Sequence, residues 1–111
     1  MLTFTPAERS WLQAYQTHLK TEFPGCVAQI SIFGSKARGD ARADSDLDVL
    51  VVNRKGGWHV KEALTRPGYD LAIGTEVVPS LHVYTTTEWE QLRTHASVFR
   101  EVVERDRVPP P

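Results

Sequence analysis

The stretch Gly34–Asp48, which reads GSKARGDARADSDLD, decides how the whole chain is interpreted. It joins two apolar runs, Cys26–Phe33 (CVAQISIF) and Leu47–Val52 (LDVLVV), which we predict to be strands, the second of them well buried. Gly34-Ser35 should end the first strand, and a short helical turn is expected near Lys36. Roughly a dozen residues separate the two strands, a length that leaves their relative direction open.

Ahead of the first strand, the sequence predicts a capped helix. Thr5 can cap it, Pro6 suits the first helical position, and Glu8 can complete a capping box. The helix should run to about residue 22 and end at Pro24-Gly25. An apolar stripe at four-residue steps predicts the face that packs in the core, namely Trp11, Tyr15, Leu19 and Phe23.

After the second strand, helices alternate with one more strand. Residues 59–72 have a weak helical pattern that Pro67-Gly68 interrupts, which favours two short helical pieces over one long helix. Val77–Tyr84 is the predicted third strand, and its Pro79 indicates an edge position or a late start. Two further helices are predicted by the capping signal Thr85-x-x-Glu88, with Trp89 and Leu92 behind it, and by the apolar positions Phe99, Val102 and Val103. This order predicts an α/β fold with a small sheet.

The composition bounds the class of protein. The chain has 111 residues, which predicts a single domain, residues 1–111, with an extended tail at 108–111. Its formal net charge of −1 at pH 7 gives no strong signal for nucleic-acid binding. Cys26 is the only cysteine, which predicts a reducing cytoplasm, and neither a signal peptide nor a membrane span is indicated. A chain of this size can bury only a limited apolar core, so part of its surface could be covered by a protein partner or by a second copy of the chain.

The start of the central stretch has the residues of a phosphate site. A glycine such as Gly34 lets the backbone come close to a ligand, and amides at the start of a helical turn attract anions. Ser35 adds a hydroxyl, and the side chains of Lys36, Arg38 and Arg42 add positive charge. We therefore predict that this part of the stretch binds nucleotide phosphates through Gly34, Ser35, Lys36 and Arg38.

The end of the same stretch has the residues of a metal site. Asp46 and Asp48 are two apart on a predicted strand, which puts both carboxylates on one face with Cα atoms ~6.5 Å apart. Mg²⁺ is commonly held by such a pair together with substrate phosphates and waters. Two rival motifs fail: a P-loop would need Lys where Asp40 stands, and an EF-hand beginning at Asp44 would need Gly where Val49 stands.

Taken together, Gly34-Ser35-x-Ala37-Arg38-Gly39 and Ser45-Asp46-x-Asp48 resemble the signature of the DNA polymerase β-like nucleotidyltransferase superfamily. The short chain is similar to its minimal nucleotidyltransferases, the antitoxin half of HEPN/MNT toxin–antitoxin pairs. The resemblance implies a small mixed sheet flanked by helices, an α/β or α+β fold. It also implies Mg²⁺ (or Mn²⁺) on the catalytic pair Asp46 and Asp48, a nucleoside triphosphate on Gly34 and Ser35, and transfer of a nucleoside monophosphate to a hydroxyl acceptor.

One family feature is missing, since members usually have a third carboxylate on the next strand. Val77–Tyr84 contains neither Asp nor Glu, and Ser80 or His82 stands roughly in the expected place. A neutral histidine can act as a general base near pH 7, so His82 is the candidate third catalytic residue. The alternative, which the sequence favours, is a strand histidine with an ordinary hydrogen-bond partner.

Three functions therefore remain open at this point. The first is an Mg²⁺-dependent transferase that moves AMP from ATP to a hydroxyl, for instance on a partner toxin. The second is an antitoxin of weak or absent turnover that acts by binding a HEPN-type protein. The third is a lone nucleotide-binding regulator.

Overall fold

The chain was analysed as a computed structural model, which describes residues 4–42 and 44–111. Ala43, which lies inside the predicted nucleotide- and metal-binding stretch, falls outside these ranges. Within them the elements follow in the order α1 (Pro6–Glu22), β1 (Val27–Phe33), α2 (Gly34–Arg38), β2 (Leu47–Asn53), α3 (Trp58–Ala72), β3 (Pro79–Thr85), α4 (Thr86–Thr94) and α5 (Val98–Asp106).

The three strands form one mixed sheet in the order β1-β2-β3. β1 and β2 are antiparallel, which settles the direction that the connection length left open, and β2 and β3 are parallel. This confirms the predicted fold class, a small mixed sheet flanked by helices.

The central strand β2 is buried on both faces. Leu47, Val49 and Val51 lie in a core cluster with side chains of α1 and α3. The alternate residues Leu50 and Val52 lie in a second cluster with side chains of α4 and α5. Because side chains alternate along a strand, Asp48 belongs to the second face, toward α4 and α5.

Helix α1 has the predicted start and the predicted buried face. Thr5 Oγ1 accepts a hydrogen bond from the Glu8 amide at 3.1 Å, and Glu8 Oε1 accepts one from the Thr5 amide at 2.9 Å. Trp11, Tyr15 and Leu19 are buried, which confirms the core assignment of the stripe. The Tyr15 hydroxyl donates to the Leu64 carbonyl of α3 at 2.7 Å, and burial raises the pKa of Tyr15, so it stays protonated.

The prediction of two short helical pieces around Pro67 was wrong, because α3 is continuous through it. Packing against α1 explains the difference. The Trp11 indole N–H donates to the Gly68 carbonyl at 2.8 Å, and Gly68 lies so close to β3 that an added Cβ would be 2.6 Å from Leu81 Cδ1. Tertiary contacts of this kind hold the turn in place, where local propensity alone would end the helix.

The two edges of the sheet are formed by β3 on one side and by β1 on the other. β3 begins at Pro79 and lies at the edge, so both alternatives for Pro79 hold. On the opposite edge, Val108 forms an antiparallel bridge with Ile32 of β1, with N–O distances of 2.8 and 2.9 Å. The described helices include none that combines the length and apolar character needed to cross a bilayer.

Candidate functional site

Gly34 and Asp48 form the centre of the candidate site. Phe33, the last residue of β1, pairs with Asp48 of β2, so the chain turns into α2 directly beside the Asp48 carboxylate. Gly34 has a φ of 75°, a conformation that favours glycine. A Cβ at this position would be 2.3 Å from Asp48 Oδ2 and 3.2 Å from its Cγ. The carboxylate therefore occupies the space that any other residue at position 34 would fill.

The basic residues of α2 have partners in other helices. The Lys36 ammonium is buried, with its side chain 5% exposed, and lies 3.2 Å from Glu8 Oε1 of α1. The Arg38 guanidinium lies 3.2 Å from Asp40 and 3.1 Å from Asp106 of α5. Both residues thus fix α2 against its neighbours. A contact of Lys36 and Arg38 with nucleotide stays a prediction. Ser35, in the first turn of α2, is the polar side chain next to Gly34 and is half-buried.

The partner of Arg38 at the end of α5 is itself strongly held. The Asp106 side chain is almost covered and accepts hydrogen bonds from Arg105 and Arg38. Two hydrogen bonds lower the pKa of the Asp106 carboxyl; the one from Arg105 has the larger effect and the one from Arg38 the smaller. The Asp106 carboxylate thus attaches α2 to α5 through Arg38.

Asp46 lies immediately before β2 and is exposed, whereas Asp48 is inside the strand and half-buried. The strand begins at Leu47, as predicted, so the expectation that Asp46 also lies on it was wrong by one residue. A turn leads the chain to this point: the Arg42 amide donates to Ser45 Oγ at 2.8 Å, and the Ser45 amide donates to the Arg42 carbonyl at 3.0 Å. The Arg42 side chain is exposed.

β3 brings Ser80 and His82 to the same face as Asp48. Ser80 is the register partner of Asp48 in the parallel ladder. His82 Nε2 lies 3.2 Å from Ser80 Oγ and 3.9 Å from Asp48 Oδ1. Leu81 and Val83 pack against the opposite core, as strand alternation requires. His82 therefore lies on the side of the sheet that carries Asp48.

The imidazole of His82 is oriented by aromatic packing. The Phe33 ring centre is 5.1 Å from it and the Phe99 ring centre is 5.6 Å from it. With its side chain 31% exposed, His82 is partly accessible while its ring is held between these apolar neighbours. The arrangement limits the rotation of the ring and keeps Nε2 on the side of Ser80 and Asp48.

The residues present fit Mg²⁺ only as part of a larger donor set. Among residues 4–42 and 44–111, no three His, Cys, Asp or Glu side chains come together as a metal cluster. Asp70 of α3 and Glu76 before β3 are both exposed and lie outside the strand face that carries Asp48. Mg²⁺ is often bound through one or two carboxylates with substrate phosphates and waters. Asp46 and Asp48 match that set, with Asp48 placed against the Gly34 backbone.

Two residues that position the site had no signal of that role in the sequence. Glu8 is part of a capping box, and nothing local shows that its carboxylate also binds Lys36. Asp106 is 68 residues from Arg38, so their pairing depends on the whole fold.

Comparisons with known proteins show the family of the chain. The family described as the nucleotidyltransferase domain matches residues 12–102. Protein adenylyltransferase MntA of Thermococcus cleftensis is 45% identical over 51 residues, which are 46% of this chain and 48% of the relative. A protein of Methanocaldococcus jannaschii, named provisionally as a protein adenylyltransferase, is 38% identical over 45 residues, 40% of this chain and 45% of the relative. The matches thus span about half the length of these curated relatives.

Two solved structures share the fold. One, described provisionally as a minimal nucleotidyltransferase, has a TM-score of 0.57 and 29% identity, covering 91% of this chain and 94% of its own. The other, described provisionally as a nucleotidyltransferase of Sulfolobus solfataricus, has a TM-score of 0.54 and 21% identity, covering 97% and 88%. With the family match extending over most of the sequence, the chain belongs to the nucleotidyltransferase domain family and is a domain of the minimal nucleotidyltransferase type.

Proposed function

We propose that this chain transfers a nucleoside monophosphate, AMP from ATP, to a hydroxyl group of an acceptor protein with the help of Mg²⁺ or Mn²⁺. The observation that carries the proposal is the contact between the Asp48 carboxylate and the Gly34 backbone, which leaves room for no side chain at position 34. A carboxylate beside the backbone amides at the start of a helical turn suits a metal-bound phosphate. The names of two curated relatives, both protein adenylyltransferases, support AMP and a protein acceptor.

Each residue of the site has a distinct part in this proposal. Gly34 and Ser35 bind the triphosphate through backbone amides and a hydroxyl, since the first amides of a helical turn have no partner within it. Asp46 and Asp48 hold the metal ion, which would offset phosphate charge when bound. Lys36 and Arg38 position α2 through Glu8 and Asp106. His82, held by Phe33 and Phe99, accepts the proton of the attacking hydroxyl.

A second candidate function is an antitoxin that binds a HEPN-type partner with little or no turnover. The observation that favours it is the composition of β3, where Ser80 rather than a carboxylate stands opposite Asp48. Apolar side chains exposed around the end of α3 and the start of β3 would suit a protein partner, namely Tyr69, Leu71, Ile73 and Val78.

A transfer assay separates the two candidate functions. The purified chain is incubated with labelled ATP, Mg²⁺ or Mn²⁺, and a helical HEPN-type protein as the candidate partner. Label that appears on that protein supports the transferase. A stable complex of the two proteins that stays unlabelled, although nucleotide binds to the chain, supports the antitoxin that acts by binding.

Nucleotide and metal together are expected to stabilise the fold. Ligand at about 100 times its dissociation constant adds ~2.7 kcal/mol to the free energy of unfolding. Replacement of both Asp46 and Asp48 by Asn should remove this gain. In the absence of metal the double variant should be as stable as the wild type or slightly more so, because two neighbouring like charges are neutralised.

Thermal melts with and without ATP and Mg²⁺ measure both effects. Asp70→Asn combined with Glu76→Gln is the matched control, because both residues are exposed and the change in net charge is the same. The control should keep the full nucleotide shift. A wild type that does not respond to millimolar ATP and metal would contradict the proposal, and a less stable apo double variant would show that the two carboxylates are structural.

A further inference from the structure

Ser80 is placed differently from the other serines of the site. It is the register partner of Asp48, it is half-buried, and its Oγ lies 3.2 Å from His82 Nε2. When Nε2 is the unprotonated nitrogen, the Ser80 hydroxyl donates to it. The hydroxyl therefore already has, within the folded chain, the hydrogen bond that a general base makes to a nucleophile.

The location of this pair matters because Asp48 is the proposed metal ligand. A phosphate held beside Asp48 and Gly34 lies next to the strand position opposite Asp48, and that position is Ser80. An external acceptor hydroxyl has to displace Ser80 from Nε2 before His82 can take its proton. In the absence of such an acceptor, the Ser80 hydroxyl is already in hydrogen-bond contact with the base.

We propose that Ser80 is itself an acceptor and that the chain nucleotidylates its own Ser80; this rests on the nucleotidyl transfer proposed above. Ser80 Oγ attacks the α-phosphorus of the bound nucleoside triphosphate, and its proton passes to His82 Nε2. The Oγ–P bond forms as the bond between the α-phosphorus and the bridging oxygen to the β-phosphorus breaks. Pyrophosphate leaves with that electron pair, and the product is a serine phosphodiester.

The product limits its own formation to one event per chain. The phosphodiester occupies the position beside Asp48 that the phosphates of a second nucleotide would need. Modification also replaces the hydroxyl proton that Ser80 donates to His82. A modified chain should therefore bind nucleoside triphosphate poorly, which makes Ser80 a switch on the proposed activity.

Intact-mass spectrometry of the full chain tests the inference. Wild type, Ser80→Ala and the control Ser10→Ala are each incubated with Mg²⁺ or Mn²⁺ and, in separate reactions, with ATP, GTP, CTP and UTP. Ser10 is an exposed serine on α1, so its loss should change nothing. Fragmentation of the wild-type product locates the modified residue independently of the variants, and thermal melts with nucleotide show whether each variant still binds.

We expect the wild type and Ser10→Ala to gain the mass of one nucleoside monophosphate residue at Ser80. In Ser80→Ala this mass gain should fall to background, whereas nucleotide should still raise the melting temperature of the variant. An adduct on another residue, or one that persists in Ser80→Ala, would overturn the inference. A wild type that binds nucleotide but stays unmodified would also overturn the inference, although the proposed function would remain. An unmodified wild type that binds no nucleotide rejects both proposals.

Discussion

Gly34→Ala is expected to abolish the stabilisation that ATP and Mg²⁺ give to the wild type. The added Cβ would lie 2.3 Å from Asp48 Oδ2, so the carboxylate has to leave the backbone turn against which it lies. The φ of 75° at this position also strains any residue with a Cβ, by about 1–2 kcal/mol. The variant should therefore lose both nucleotide binding and some stability without ligand.

Gly25→Ala separates these two causes. Gly25 has nearly the same backbone conformation, with a φ of 74°, but an added Cβ there would have no neighbour within 4 Å. This control should show the loss of stability from backbone strain and keep the full nucleotide shift. Parallel melts of the two variants provide the comparison. If Gly34→Ala binds nucleotide as well as Gly25→Ala does, the Asp48 carboxylate is not the metal ligand proposed here.

Lys36→Met is expected to destabilise the chain by about 3–5 kcal/mol, because it leaves the Glu8 carboxylate buried without its cation. The Lys36 and Glu8 side chains are only 5% and 6% exposed, and their charged atoms are 3.2 Å apart. For a domain of roughly this size, each kcal/mol lowers Tm by about 4–8 °C. Urea denaturation at neutral pH gives the free energy of unfolding directly.

Lys61→Met is the matched control for this loss. Lys61 also forms an ion pair, at 2.7 Å with Glu88, but the two side chains are 33% and 41% exposed. An exposed pair contributes only about 0–1 kcal/mol, so the control should remain close to the wild type. Adding Glu8→Gln to Lys36→Met removes the unpaired charge and should recover much of the stability. Equal losses for Lys36→Met and Lys61→Met would show that the buried pair does not hold α2.

The features that could be predicted from the sequence are those set by neighbouring residues. The capping boxes of α1 and α4 depend on side chains three positions apart, and both are present. Strand β2 was evident from its continuous apolar run, and the placement of His82 beside Asp48 followed from alternation along β3.

The features that could not be predicted depend on contacts between distant residues. Helix α3 continues through Pro67 because Trp11 and Tyr15 of α1 bind its carbonyl groups. The buried position of Lys36 follows from Glu8, and the partner of Arg38 comes from the end of α5. In both cases the sequence correctly showed a positive charge near the motif, but the direction of the side chain depended on the packed helices.

The attachment of α2 to Asp106 has a consequence for the order in which the protein is made. Residues 34–48 leave the ribosome before Asp106 and before the Val108 that bridges to Ile32. A nascent chain can pair β1 with β2 and then add β3 while α2 still has no contact with α5. We therefore expect the candidate site to become rigid only once α5 has been synthesised and packed, so that a nascent chain without α5 carries the complete motif but holds it loosely.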